Sequence, residues 1–500
     1  MEKEDGSPRG SSPENDSESG STTDGRAPGE IIQWDEDDPD HPFKRSLPAR
    51  WLTVITVSLC SLCVACTSSI YTTTYGQILK EFHCSQEIAT LGLSLFVFGM
   101  GLGPLVLGPL SEVRSFFLYG RRVIFLSSFV FFLIWLIPCA VARNIQTLLI
   151  ARFFNGFSGS AFLSVAGGTV GDMFPRHQLA APMMIYTASP FVGPELGPLV
   201  GGFINQYTNW RWTFYVLLIW TATLIVSIYF FVPETHHPAI LTRKARVIRK
   251  KTGNTWPRGP NENSDVPLRE LVLRSVTRPI MLLVLEPMCM SLCVYSALLL
   301  GILYLFFGAF QTVFLSVYGF ELWQRGLTFL GLLVGMVFAI LSDPLWRRNY
   351  ERLEKEHQAR DVEASGFFPE WRLPPAIAGA PLVTIGLFIF SWTTYSSVHW
   401  IVPLIGSAFF GAGTILVYSG IFTFLVEAYP SYAASALAAN SFTRSTFAAA
   451  FPLFGAQMYN RLGIHWASCL LAFLTLAMVP FPYIFYKYGP RIRKKSRFTS

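Results

Sequence analysis

Apolar residues in this chain gather into about twelve runs of roughly 20 residues, each long enough to cross a hydrocarbon core about 30 Å thick as a helix. An outer-membrane barrel would show alternating segments of about 10 residues instead. The pattern predicts spans at 51–76, 88–110, 123–142, 146–170, 182–204, 212–232, 280–305, 327–345, 375–392, 400–426, 433–457 and 465–486. The longest internal polar stretch, 233–279, divides them six and six. The expected organisation is a disordered cytosolic N-tail (1–50), a six-helix bundle (51–232), a cytosolic linker (233–279), a second six-helix bundle (280–486) and a basic cytosolic C-tail (487–500). The fold class is therefore an all-α membrane protein.

A faint repeat links the two bundles. Leu110-Ser111-Glu112 ends span 2 and Leu341-Ser342-Asp343 ends span 8, each followed by a pair of arginines. Parallel six-span repeats are an architecture of secondary transporters.

Composition sharpens the picture. With 51% apolar and only 14% charged residues, and a mean hydropathy of +0.39, the chain is not a soluble multidomain protein. The net charge of +7 invites a nucleic-acid reading, but the charges lie in the wrong places for a groove. The first fifty residues hold 13 acidic and 6 basic side chains, and the remaining basic residues sit in a few loops and the C-tail. Of the 39 Lys and Arg, 32 fall on the side of the tails and linker, 5 in the opposite loops and 2 within spans. The positive-inside rule then puts both termini in the cytosol. The linker's basic run, Arg243 to Lys251, reads either as a helix on anionic lipid or as a solvated positive anchor. Seven of the eight cysteines lie inside spans and only Cys84 in a loop, so packing rather than a disulfide framework or metal site is expected.

Charge at bilayer depth is costly and marks function by default. Four such residues occur: Arg152 in span 4, Glu195 in span 5, Glu286 in span 7 and Arg444 in span 11. The histidines keep to tails, loops and span edges, which leaves carboxylates as deep proton carriers. Arg152, Glu195 and Glu286 are the candidates for proton coupling, and Arg444 is expected to be an embedded structural charge. Each coupling candidate also has a structural reading: Arg152 tying its span to backbone carbonyls, Glu195 bonding within its Gly/Pro-rich surroundings, Glu286 snorkelling to the cytosolic edge. Span 5 reads Gly193-Pro194-Glu195-Leu196-Gly197-Pro198-Leu199-Val200-Gly201-Gly202, where prolines remove backbone donors and spaced glycines admit a neighbouring helix. No Walker lysine or nucleophile elbow is present, so an enzyme is not expected and an ion gradient is the remaining energy source.

These pieces together resemble the fungal drug:proton antiporter branch of the major facilitator superfamily, which includes multidrug and polyamine exporters. The resemblance rests on Gly108-Pro109-Leu110-Ser111-Glu112 with Tyr119-Gly120-Arg121-Arg122, Arg152-Phe153-Phe154-Asn155-Gly156-Phe157, Gly193 to Gly202, Asn209-Trp210-Arg211-Trp212 and Pro233-Glu234-Thr235. In the second half it adds Tyr432-Ala433-Ala434-Ser435-Ala436 and Phe451-Pro452-Leu453-Phe454.

The resemblance implies a twelve-helix rocker-switch exporter with one cavity between its halves, needing no cofactor and acting as a monomer in the plasma membrane. It implies a cytosolic latch of Gly108, Glu112, Gly120, Arg121 and Arg122, with Arg152 tied to proton coupling. The antiporter motif is Gly193, Pro194, Gly197, Pro198, Gly201 and Gly202. Spans 1, 4, 7 and 10 would line the cavity, with Tyr71, Tyr75, Phe154, Tyr295, Tyr304 and Tyr418 as aromatic contacts. The chain departs from the family pattern at Arg114 to Leu118, five residues between the two halves of the latch. The implied activity is proton-coupled efflux of amphipathic small molecules; a dedicated exporter of one endogenous metabolite or toxin, or an uptake symporter, are the alternatives.

Overall fold

The computed structural model describes residues 32–34, 38, 40–112, 120–175, 178–253, 258–260, 268–360, 368–494, 496 and 498. The described regular structure is helical, as hydrocarbon requires of a chain that must pair its backbone groups within each crossing. The membrane helices are α1 (Leu47–Ile70), α2 (Gln86–Glu112), α3 (Arg121–Val141), α4 (Ile145–Gly159, continued by Ala161–Ser164 and Ala166–Met173), α5 (Ala180–Tyr207) and α6 (Arg211–Phe231). The second half has α7 (Pro287–Tyr318), α8 (Leu330–Leu341), α9 (Pro374–Thr393) and α10 (Ile401–Ala428). The helical run Ala433–Met478 supplies α11 and α12, the latter continued by Pro480–Arg493.

By length and composition alone, 10 helical segments among the described residues can cross a membrane. The last of them, Ala433–Arg493, contains two crossings. Gly463 has φ +76°, and Tyr459 Oη lies 2.9 Å from Ser468 Oγ. Nine residues of straight helix would place them about 13 Å apart along the axis, so the chain reverses here. Helix α5, diluted by Pro, Gly and Ser, is nevertheless 28 residues long and lies along α1, which completes twelve.

The two halves repeat one pairing scheme. Helix α1 packs on α5, α2 on α4 and α3 on α6; correspondingly α7 packs on α11, α8 on α10 and α9 on α12. Between halves, α2 meets α11 and α5 meets the segment that leads into α8 (Leu322–Leu327), again an equivalent pair. Small residues let these backbones approach. A Cβ on Gly335 would lie 1.9 Å from the Ala408 carbonyl oxygen, and one on Gly156 2.0 Å from that of Phe96. All eight cysteines are free and seven are buried, consistent with packing.

Both terminal segments and the linker lie at one end, here called the basic end. At the opposite end the halves are closed. Leu322 N donates to Gln206 Oε1 (3.2 Å), Gln457 Nε2 donates to Glu87 Oε1 (3.0 Å), and a Cβ on Gly326 would meet the Pro198 carbonyl at 2.5 Å.

The segment 1–50, expected as a disordered tail, needs a partial correction. Ile32 N donates to Arg258 O at 3.0 Å, and Ile32 and Trp34 pack against Leu241, Ala245 and Ile248 of a linker helix (His237–Thr252). Lys244 Nζ pairs with Asp38 and, at 3.0 Å, with Asp40. The polar composition hid two apolar anchors followed by an acidic run, which match the apolar stripe and positive face of that helix. The apolar stripe of this basic helix is thus covered by the chain's own N-terminal segment.

Candidate functional site

The deepest polar cluster begins with a change of helical pitch. After Ile70, α1 tightens into a 3-10 turn, Tyr71–Thr74. Its hydroxyls stabilise the passage by donating back to carbonyls three or four residues earlier: Thr67 to Cys63, Ser68 to Ala65, Thr72 to Ser69 and Thr74 to Tyr71. The carbonyls of Thr67 and Ser68 at this junction take Arg152. Its Nη1 donates to Thr67 O at 2.8 Å, Nη2 to Ser68 O at 3.1 Å and Nε to Gly92 O at 3.2 Å. The rings of Tyr71 and Phe96 lie 4.5 and 4.4 Å from its Cζ. Arg152 is wholly buried and binds α4 to α1 and α2 through backbone oxygen.

Directly across the interface, Tyr304 of α7 shares a 2.9 Å hydrogen bond with Ser68 Oγ. Tyr304 also stands within electrostatic reach of Arg152, Glu195 and Arg444. Glu195 is 1% exposed, and neither carboxylate oxygen has a hydrogen-bond partner. The motif around it seats α5 on α1. Cβ atoms on Gly193, Gly197 and Gly201 would lie 2.7, 2.0 and 2.4 Å from Ala65, Ser69 and Thr73, while Gly202 faces Leu322 and Trp323 of the other half. Prolines 190, 194 and 198 each remove a donor within the helix, and Ser189 Oγ supplies a substitute at 2.7 Å to the Tyr186 carbonyl that Pro190 leaves free.

The other two deep charges stand apart from Arg152. Glu286 occupies the N-cap position of α7 at the basic end without bonding the helix backbone, its carboxylate accepting instead from Tyr429 Oη (3.3 Å) and Ser496 Oγ (2.7 Å). Arg444 on α11 lies against Phe191, Tyr418 and Phe422, with Cζ 5.6, 5.5 and 5.1 Å from their ring centres.

A cavity of about 680 Å³ opens between the halves from the basic end, walled by α5, the end of α8, the helix Asp343–Arg360 that follows it, α10 and the turn before α9. Met183, Thr187 and Phe191 line it from one half, and Trp346, Tyr418 and Phe422 from the other. Of the six aromatic contacts expected from the sequence, only Tyr418 borders it. Tyr71 and Tyr75 are buried beside α2, Tyr295 is buried in α7 and Tyr304 is in the interface. Phe154 is 40% exposed and stacks on Trp135 of α3, 4.6 Å between centres. Two helical residues separate it from Arg152, a rotation of about 200°, so an inward Arg152 sends Phe154 outward. Of the spans 1, 4, 7 and 10 expected to line a cavity, α10 borders this one; its other walls are α5, the end of α8, the helix Asp343–Arg360 and the turn before α9. The wall of Met183, Trp346 and Phe422 has no sequence signal beyond its apolar character.

At the basic end, Arg121 pairs with Asp172 at the end of α4 (2.6 Å). Glu234 caps α3, its carboxylate accepting from the backbone N–H groups of Arg121 (3.0 Å) and Arg122 (3.1 Å), and from those of Thr235 and His236. Gly120 makes the approach possible, with φ +78° and no Cβ to strike Glu234. Arg122 Nη2 donates to Tyr229 O at 2.6 Å. Half-buried His236 in this junction has its pKa pushed down to about 4, by burial first and then by the charges of Arg121 and His237. Gly108 and Glu112 lie towards the end of α2, where side chains fall outside the described residues, as do Arg114 to Leu118. Asp172 and Glu234, the partners of Arg121 at this end, were not among the site residues expected from the sequence, although Pro233-Glu234-Thr235 is one of its motifs. Among the described residues no group of three or more His, Cys, Asp or Glu is placed to hold a metal.

Comparison with known proteins places this geometry. The family model described as Major Facilitator Superfamily matches residues 57–452. The chain is 59% identical over 400 residues to "Efflux pump atB" of Aspergillus terreus, covering 80% of this chain and 83% of that protein. It is 40% identical over 473 residues to "Probable drug/proton antiporter YHK8" of Saccharomyces cerevisiae, covering 94% and 90%. Among solved structures, a partially occluded inward-open conformation of the xylose transporter XylE from E. coli superposes with a TM-score of 0.60 at 16% identity, covering 88% of this chain and 99% of that one. That likeness concerns the fold alone.

Proposed function

The chain belongs to the Major Facilitator Superfamily, a family of multi-pass membrane transporters, and from that premise we propose that it exports amphipathic small molecules in exchange for protons. The relatives named as efflux pumps and drug/proton antiporters support this reading at 40 to 59% identity. The observation that carries the proton coupling is Glu195, a mid-helix carboxylate buried in the interface core with no partner for either oxygen. An unpaired charge at that depth is costly, which makes this carboxylate the candidate proton carrier. The glycine contacts of α5 with α1 on one side and with the other half on the other put Glu195 on the element that must slide as the halves rock.

In this reading the cavity is the substrate site in its cytosol-facing state, both termini are cytosolic and the protein works as a monomer in the plasma membrane. Arg152 fixes the α1 pitch change that carries Ser68 to Tyr304, so protonation and rocking meet at one junction. Glu286 is held at the basic end by Tyr429 and Ser496 of its own half, apart from this junction.

The test uses membrane vesicles in which substrate uptake reports the export direction. Transport should stop when the proton gradient is collapsed with ATP still present. Glu195→Gln should bind substrate yet fail to couple it to the gradient. Transport undiminished by collapse overturns the antiport reading.

A further inference from the structure

Two arginines lie at depth in this protein, and their surroundings differ in kind. Arg152 has hydrogen-bond acceptors for all three of its nitrogens. Arg444 has none: its Nε and Nη1 are buried without partners, and among the described residues no carboxylate stands within ion-pair distance. Its neighbours are the faces of Phe191, Tyr418 and Phe422. Aromatic faces attract a cation but accept no in-plane N–H bond, so the guanidinium keeps its capacity for a planar, bidentate anion.

Those three rings are also the cavity wall. Phe191 stacks on Tyr418 (5.0 Å, 26°) and Tyr418 on Phe422 (5.6 Å, 5°), a continuous ladder that crosses from one half to the other. All three line the cavity, and Arg444, which is not itself a lining residue, stands directly behind this wall with its Cζ 5.1 to 5.6 Å from each ring centre. The remaining positive charges around the cavity are neutralised in place: Arg347 pairs with Asp343 (2.6 Å) and Arg372 with Glu427 (2.8 Å). The side chain of Arg444 retains partial exposure despite its mid-helix position.

We propose that Arg444 reads a negative charge on the transported molecule, so that the cavity selects aromatic amphiphiles bearing a carboxylate or similar organic anion. The aromatic ladder takes the ring of the ligand by stacking, and the guanidinium takes its anionic end. This assigns Arg444 a recognition role in place of the purely structural one its sequence position suggested. The proposal rests on the cavity being the substrate site, as in the efflux reading above.

The experiment compares three probes of one shape and three charges, naphthoate, its methyl ester and naphthylmethylammonium, binding to the purified full-length protein by tryptophan fluorescence at neutral pH. A desolvated charge-assisted bond predicts that the unsubstituted protein binds the acid about tenfold or more tightly than the ester, with the ammonium weakest. Arg444→Gln should bring the acid-to-ester ratio to about one, and Arg444→Lys should keep part of it because charge survives without the planar fork. Micelle partitioning cancels when ratios are compared between variants.

An ester or ammonium bound as tightly as the acid by the unsubstituted protein overturns the proposal, and that result needs no variant to fold. A full acid preference in Arg444→Gln overturns it as well. Gradient-driven export of the acid in vesicles is scored separately. Its absence alongside an Arg444-dependent acid preference supports the anion site and overturns the antiport reading, so the two failures are distinguishable.

Discussion

Ser68 Oγ of the first half and Tyr304 Oη of the second meet at 2.9 Å, and the carbonyl of the same Ser68 accepts Arg152 Nη2 at 3.1 Å. One residue therefore ties the deepest charge of one bundle to the face of the other. Removing the phenolic hydroxyl should loosen the interface without leaving a charge unpaired. Tyr304→Phe is expected to cost about 0.5–1.5 kcal/mol, the net worth of a typical hydrogen bond. A cysteine pair introduced at Gln206 and Leu322, bonded across the closed end in the native chain, reports opening there. The variant should cross-link more slowly; an unchanged rate would show that the bond does not hold the closed state.

Arg152 gives a stronger expectation. Arg152→Ala strips the carbonyls of Thr67, Ser68 and Gly92 of their donors and removes the cation from between Tyr71 and Phe96. Hydrogen bonds to charged groups are worth about 1.5–3 kcal/mol each, so the variant should unfold several degrees earlier and lose gradient-driven export. Arg152→Lys should also lose export, because an ammonium cannot reach three diverging carbonyls through one planar fork. Normal export by either variant at equal membrane level would reduce Arg152 to a packing role.

The glycine stripe of α5 makes a steric prediction. A Cβ at position 197 would lie 2.0 Å from Ser69 Oγ, 2.7 Å from Ile70 N and 2.9 Å from Cys66 O, so two of the three obstacles are backbone. Gly197→Ala should force α5 away from α1 and cost about 1–3 kcal/mol. Adding Ser69→Gly removes the hydroxyl but not the backbone, and should rescue only part of the loss in thermal stability. Complete rescue would mean that the helices are free to separate.

At the basic end, Gly120 is held at φ +78° with Glu234 where a side chain would stand. Gly120→Ala combines backbone strain of about 1–3 kcal/mol with eviction of the carboxylate that caps α3. Glu234→Ala removes the cap alone and should cost about 0.5–2 kcal/mol. Thermal unfolding of the two variants, and of the double variant, should show less than additive losses because both act on one cap. Strictly additive losses would separate the glycine from the carboxylate.

Much of this architecture was legible because a bilayer imposes a similar length on every crossing, so apolar runs announced most of the helices within a few residues; α7 is the exception, expected at 280–305 and found at Pro287–Tyr318, because the preceding helix Leu268–Leu285 stops before Glu286-Pro287. Proline and glycine spacing likewise announced α5, since close helix approach tolerates only the smallest residues. Other features were invisible for physical reasons. The break between α11 and α12 was expected between 457 and 465, but not that it consists of one residue, Gly463, leaving helical geometry at φ +76°. The partners of buried groups depend on which helices meet: Arg121 found Asp172 and Glu234 took the α3 cap, residues far away in sequence. The cavity wall is apolar in composition like every other surface of the bundle. Sequence could name Arg152 and Arg444 as deep charges, but only packing shows that one is satisfied by backbone oxygen and the other is not.

The junction of Glu234, His236 and Arg121 should also respond to pH. His236 titrates near 6.5 when free and near 4 in the fold, where burial and the positive charges of Arg121 and His237 oppose its protonation. Between those values the unfolded chain binds more protons at this histidine than the folded one, so the contribution of His236 to stability rises with pH across the window and is lost on acidification towards pH 4. Above the ordinary value both states carry a neutral imidazole and the contribution of His236 is flat. His236→Asn removes the titrating group and should therefore flatten the slope of the unfolding temperature between pH 5 and 6.5, leaving the values above pH 7 little altered. Hydrogen exchange should locate the effect, with protection in the segment 233–242 falling at pH 5 in the unsubstituted protein more than in the variant. Equal slopes in the two proteins would show that the fold does not oppose protonation of His236, and that this junction does not sense acid through it.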